Sequence, residues 1–209
     1  MSRIYDHKKL LSGYDTILFD LDGTLYNSDQ FYRGAFEDMA IWLVQQGLQA
    51  EPDTWVDCVM GLKIAKGNEY KRLIDEALTL LDMDMGLKNR LLAIYKKHDC
   101  KYLCLDPDER GCLDYLHSCR KQMFIITNGS RQLQERKIKK LELHRYVKEI
   151  MILDPLTTVG LKPDPVSFDM LRNRHTTGKT IMVGDRFDID GRFAQNAGID
   201  FLGVGFHGN

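Results

Sequence analysis

No run of apolar residues in this sequence approaches the about 20 needed to cross a bilayer, which removes membrane-spanning helices from consideration. Met1 to Ser12 is polar and charged and holds no apolar core of signal-peptide length, so a cytoplasmic location is expected. An excess of one charge is also missing. The 29 Lys and Arg against 30 Asp and Glu give a formal net charge of −1, so no broad basic surface is expected for nucleic acid or an anionic membrane. Any anion must be held by local groups. Cysteine is scarce and odd in number, five in 209 residues, which argues against a disulfide framework and for free thiols. Cys100, Cys104, Cys112 and Cys119, with His98 and His117 among them, suggest zinc only weakly. The spacing is not that of a paired knuckle, and Cys112 and Cys119 fall within an amphipathic helix pattern. These thiols are read as small buried apolar side chains. There is no internal repeat and no low-complexity segment.

What is present is organised around Thr16-Ile17-Leu18-Phe19-Asp20-Leu21-Asp22-Gly23-Thr24-Leu25-Tyr26. A short apolar run closed by Gly23 fits a buried parallel strand, and open α/β sheets bind ligands just beyond the carboxyl ends of such strands. Asp20 and Asp22 lie one residue apart and repel, so both stay ionised only with a cation or strong donors beside them. A hard divalent ion such as Mg²⁺, sharing itself with substrate phosphate, is the simplest answer. Asp-Gly is also a common turn dipeptide, and on these residues alone a plain turn explains them equally well.

Helical periodicity follows. Ser28 or Asp29 can cap a helix carrying Tyr32, Phe36, Met39 and Leu43 and ending at Gly47. Tyr70, Leu73, Ile74, Ala77, Leu78 and Leu81 make a second stripe, and Leu87, Leu91, Ile94 and Tyr95 a third. Residues 61–67 are read as a loop between them, and no strand is evident from Ser28 to Cys104. Residues 28–104 are therefore expected to form an all-helical domain inserted into residues 1–27 and 105–209.

Beyond Asp106-Pro107-Asp108-Glu109, a helix start with a capping Asp and Pro at the first position, strand and helix patterns alternate. Met123 to Gly129, Ile150 to Leu153, Thr180 to Asp185 and Phe201 to Phe206 read as strands. Residues 130–143, 165–174 and 190–197 read as helices. The basic stretch Arg131 to Lys140 is read as a solvated helix face. The expected fold is α/β, a Rossmann-like parallel sheet with right-handed crossovers. Its strand tips gather Asp20, Asp22, Thr127, Asn128, Lys162, Asp185 and Asp190 along one edge. Singly, each has a turn or cap explanation; together they suit a nucleophile, a metal site and groups that offset phosphate charge.

In this order, Asp-x-Asp-Gly-Thr, an apolar strand ending Thr-Asn, Lys-Pro, and Gly-Asp with another Asp five residues later, the set closely resembles the four motifs of the haloacid dehalogenase superfamily. The resemblance spans the core, and the helical insert after the first motif resembles the first-position cap of phosphoglycolate phosphatase-like and β-phosphoglucomutase-like members. It implies that Asp20 is the nucleophile forming an aspartyl phosphate, and that Asp22 protonates the leaving oxygen and then activates water. It further implies that Asp20, Asp185 and the main-chain carbonyl of Asp22 ligate Mg²⁺, with Asp190 orienting the metal shell. Thr127 and Lys162 would hold the phosphoryl oxygens, assisted by Asn128. The dehalogenases that name the superfamily typically lack the second aspartate, so Asp22 favours phosphate chemistry.

The function implied is Mg²⁺-dependent hydrolysis of a small phosphorylated metabolite. A sugar phosphomutase using the same aspartyl phosphate is an alternative, and a non-catalytic binding module is another. Lys63 and Lys66 are candidates to meet an acidic leaving group, although solvated lysines beside a helix are the plainer reading. The cap shows no cluster of cations suited to a bisphosphate beyond these two and the Lys71-Arg72 pair, which favours hydrolysis over phosphoryl return.

Overall fold

A computed structural model of the chain describes residues 2–47, 51–67 and 70–206. It divides into two compact units, one formed by Met1–Ser28 with Leu103–Asn209 and the other by Asp29–Tyr102.

The first unit is an α/β layer structure. A 3₁₀ turn, Ile4–His7, leads into α1 (Lys8–Leu11), and both bury one apolar side chain, Ile4 and Leu11. The amino-terminal segment is thus less uniformly solvated than its composition suggests: Arg3 reaches the buried Glu109 carboxylate, and its guanidinium stacks 4.2 Å from the Phe206 ring centre. Next comes β1 (Thr16–Phe19), every residue of which is buried. A strand covered on both faces must be apolar throughout, and this explains why the run shows no alternation.

β1 is the centre of a five-stranded parallel sheet of order β3-β2-β1-β4-β5, with β2 at Gln122–Asn128, β3 at Glu149–Leu153, β4 at Thr180–Gly184 and β5 at Asp200–Gly203. Thr16 is in register with Gln122 on one side and Thr180 on the other. Strand order reverses at β1, and such switch points open a crevice at the carboxyl ends of the strands. β5 ends at Gly203, short of the expected Phe206.

The helical unit contains α2 (Asp29–Gln45), α3 (Pro52–Lys66), α4 (Leu73–Leu80) and α5 (Lys88–Lys97). Its core is built from Phe36, Met39, Leu43, Trp55, Val59, Leu78 and Leu91 among others, and no strand occurs among its described residues. α3 replaces the expected loop over residues 61–67. Its buried positions are Trp55, Val56, Val59 and Lys63, a stripe ending on a lysine while Ile64 faces solvent, and this blurs the apolar period. Tyr70 lies outside α4, which starts at Leu73.

The crossovers of the first unit are α6 (Pro107–Ser118), α7 (Arg131–Lys140), α8 (Val166–Arg174) and α9 (Arg192–Ala197). Asp106 caps α6, its Oδ1 accepting from Asp108 N at 3.2 Å, with Pro107 at the first position. α7 is capped from a distance, Asp154 Oδ2 accepting from Arg131 N at 2.7 Å. The helix expected to begin at residue 190 begins at Arg192, because a π-turn over Phe187–Gly191 precedes it. Leu18, Phe124, Ile126, Leu153, Phe168, Met182 and Phe193 pack into the core beneath the site.

Candidate active site

Asp20 directly follows β1, and its N–H donates to Val183 O of β4 at 2.9 Å, so the strand pairing continues through it. The residue is 8 % exposed. Lys162 Nζ, buried, donates to Asp20 Oδ1 and to Asp190 Oδ1, both at 2.6 Å. Asn128 fixes the backbone that carries this lysine: its Nδ2 donates to Lys162 O at 2.9 Å, and its Oδ1 accepts from Lys162 N at 3.0 Å. Asp190 is held by the π-turn, with Oδ2 accepting from Arg186 N at 3.2 Å. Two glycines permit this crowding. A β-carbon on Gly23, whose φ is +82°, would overlap the Asp185 carboxylate, and one on Gly184 would overlap that of Asp190.

Asp20, Asp185 and Asp190 each present an oxygen, all within 4.8 Å of one another, and the Lys162 ammonium bonds two of the three. Burial drives the Asp20 carboxyl up to about 8, the neighbouring Asp190 and Asp185 adding to the shift and Lys162 opposing it. Burial followed by the Asp190 charge brings Asp185 to about 7. Lys162 loses hydration, but its two carboxylate partners outweigh that loss and hold its ammonium above the ordinary value. An all-oxygen donor set with surplus negative charge fits a hard divalent cation such as Mg²⁺, and Gly23 keeps the Asp185 side of that set clear of any side chain.

The Asp22 carboxylate stands apart from this group and turns toward α7. Lys137 Nζ donates to its Oδ1 at 2.7 Å, Gln134 Nε2 to its Oδ2 at 2.8 Å, and the Tyr26 hydroxyl to Oδ1. Burial disfavours its charge, yet the Lys137 ammonium and these hydrogen bonds outweigh burial and hold the carboxyl below the usual range. Gln134 Nε2 also donates to the buried Thr127 Oγ1 at 2.8 Å.

α7 is therefore not the solvated face its composition implies, since Gln134 is buried and Lys137 is only 5 % exposed. The signal was present in the spacing. Gln134, Lys137, Ile138 and Leu141 share one helix face, a polar pair set into an otherwise buried apolar stripe. In the helical unit, Lys63 is buried in α3, where it donates to Asp29 Oδ1 at 2.5 Å and lies 4.5 Å from the Tyr32 ring centre. Lys66 is exposed. Of the thiols, Cys100 and Cys112 are buried as expected, whereas Cys104 and Cys119 are exposed, Cys119 because it lies at the end of α6 rather than within it. His98 Nδ1 meets Asp38 Oδ2 at 2.6 Å, and the one other cation-capable cluster among the described residues, Asp38, His98 and Asp99, includes no cysteine.

Residues 17–204 match the haloacid dehalogenase-like hydrolase family. Among curated proteins, the chain is 27 % identical over 190 residues to a glyceraldehyde 3-phosphate phosphatase of Methanopyrus kandleri, covering 88 % of this chain and 80 % of that one. It is 27 % identical over 198 residues to the pyrophosphatase PpaX of Halalkalibacterium halodurans, covering 92 % and 84 %. Among solved structures, a putative β-phosphoglucomutase from Thermotoga maritima superposes with a TM-score of 0.68 at 21 % identity, covering 93 % of this chain and 87 % of that one, a likeness of fold.

Proposed function

Given that the chain belongs to the haloacid dehalogenase-like hydrolase family, we propose that it is a Mg²⁺-dependent phosphatase of a small phosphorylated metabolite, with residues 28–104 as the cap that reads the leaving group. The observation that carries the reading is the trio Asp20, Asp185 and Asp190 gathered around one buried ammonium. That arrangement keeps a nucleophilic carboxylate beside surplus negative charge and is of use only to a cation and an anionic substrate. The names of the two curated relatives specify different phosphates, so hydrolysis of a phosphate bond is what they share.

Asp20 attacks phosphorus as the ester oxygen leaves, forming an aspartyl phosphate, and Asp22, which must enter this step protonated, gives that oxygen its proton and becomes the carboxylate that Lys137 and Gln134 hold. Water then attacks the same phosphorus. Its proton passes to Asp22, the phosphorus–oxygen bond to Asp20 breaks, and phosphate is released. Lys162 and the Thr127 hydroxyl hold the phosphoryl oxygens, and Asn128 acts through the Lys162 backbone that it clamps. Asp20, Asp185 and the Asp22 carbonyl would hold Mg²⁺, with Asp190 supporting its shell, and the ion would supply neutralisation of phosphate charge.

The test is hydrolysis of a panel of phosphomonoesters in ¹⁸O-water with Mg²⁺. Free phosphate carrying one solvent oxygen is the expected product. Interconversion of sugar phosphates with little free phosphate would replace hydrolysis by phosphoryl return, and no turnover on any member would sink the reading.

A further inference from the structure

We propose that Gln134 and Lys137 of α7 are positioning residues, which aim the two oxygens of Asp22 in fixed directions and tie that carboxylate to the Thr127 hydroxyl. The inference rests on the phosphatase reading for the role of Asp22, and on geometry for the rest. One amide nitrogen, Gln134 Nε2, stands 2.8 Å from both Asp22 Oδ2 and Thr127 Oγ1, so its two hydrogens are shared between the carboxylate and the phosphoryl-holding hydroxyl. Lys137 Nζ takes the other oxygen, Oδ1, at 2.7 Å. With Tyr26 on Oδ1 as well, both oxygens are directed from identifiable donors.

The strand tip is shaped to admit this amide. Gly129 has φ +151°, and a β-carbon there would come within 3.1 Å of Gln134 Cδ and 3.2 Å of its Nε2. A side chain at position 129 would crowd the amide and require it to give way slightly, so the glycine after Thr127-Asn128 leaves Gln134 its room. Gln134 and Lys137 lie three residues apart on one helix face, and α7 is anchored at its first residue by Asp154. The helix is thus a rigid mount for the pair.

Positioning of Asp22 has a kinetic signature that a merely structural role lacks. With p-nitrophenyl phosphate the departing aryloxide needs no proton, so Asp20 is phosphorylated without help from Asp22. The second step still requires it: as the water oxygen bonds to phosphorus and the bond to Asp20 breaks, the water proton must go to a correctly aimed carboxylate. Lys137→Met and Gln134→Met are therefore expected to release close to one nitrophenolate per site in a rapid burst. Steady turnover should then fall about tenfold to a hundredfold below wild type, the size of loss that misplacement of a reacting group brings. Lys137→Arg, which keeps the cation, is expected to restore part of that rate.

Equal slowing of both steps without a burst, or wild-type turnover in both methionine variants, overturns the inference while leaving the phosphatase reading intact. Absence of turnover in the wild-type chain overturns the phosphatase reading instead. The geometry is tested separately by a crystal structure of Lys137→Met. Withdrawal of the Asp22 carboxylate from Gln134 supports the positioning role, and an Asp22 that keeps its wild-type place rules it out.

Discussion

Buried charge is balanced differently at Lys63 of the helical unit and at Lys162 of the α/β unit. In the helical unit the buried Lys63 ammonium pairs one to one with a carboxylate of α2, that of Asp29. At the sheet edge of the α/β unit the Lys162 ammonium bonds two carboxylates, Asp20 and Asp190, with a third, Asp185, gathered beside them, and Asp22 is met by a separate lysine. Charges that balance locally hold a fold together. A surplus that burial makes costly persists where it has a partner to receive, and the contrast distinguishes a site from a structural pair without reference to any relative.

The contrast is broken most sharply at Asp20. Asp20→Asn, nearly isosteric but a poor nucleophile, is expected to lower phosphate release by more than about a thousandfold with the fold intact. A variant keeping more than a small fraction of the wild-type rate would move the nucleophile elsewhere. Removing divalent ions with EDTA should stop turnover and Mg²⁺ should restore it, with Ca²⁺ a poor replacement because its shell is larger and looser. Undiminished activity in chelator would refute the metal requirement.

Stability sharpens the same comparison. Lys162→Met strands Asp20 and Asp190 without a cation and is expected to cost about 3–5 kcal/mol in denaturant titrations of the metal-free protein. The matching Lys63→Met should cost about 1 kcal/mol, because the Asp29 side chain is 27 % exposed and remains hydrated. Equal losses at the two lysines would erase the distinction between the units.

A further effect concerns pH. Asp20 at about 8 and Asp185 at about 7 lie above the ordinary 3.8, so the folded, metal-free protein keeps protons that the unfolded chain has lost. Their contribution is present in acid and disappears as pH rises through those values. The melting temperature in chelator should therefore fall from about pH 5 to about pH 9, and saturating Mg²⁺ should flatten that fall. A melting temperature that rose over this range would reverse the sign and discount the carboxylate crowding.

Much of the α/β unit was legible because its inner strands β1, β2 and β4 are buried and leave apolar runs that each end in a polar residue at the sheet edge, as with Phe19-Asp20, Thr127-Asn128 and Gly184-Asp185. Lys162 and Asp190 were legible only as members of an ordered motif set, since neither has a local signature. What composition concealed was long side chains with buried heads. Lys137 and Lys63 read as solvent-facing because lysine usually is, and their burial depends on acceptors distant in sequence, Asp22 and Asp29. α3 was missed for the same reason: a buried lysine stands where its stripe needs an apolar residue.

The central place of β1 also governs the order in which the molecule can form. β1 is made early in synthesis, but its two partners begin at Gln122 and Thr180, so the entire helical unit and most of the α/β unit must follow before the central strand is flanked on both sides. The helical unit draws its contacts from one continuous stretch and can collapse while the rest of the chain is still emerging. Until β4 arrives, β1 keeps an open edge one residue from Asp20, and the crowded carboxylates are assembled only when Asp185 and Asp190 close the sheet beside it. The carboxylate cluster and the core residues Met182 and Phe193 that flank it in the chain are therefore brought to Asp20 by the same closing segment.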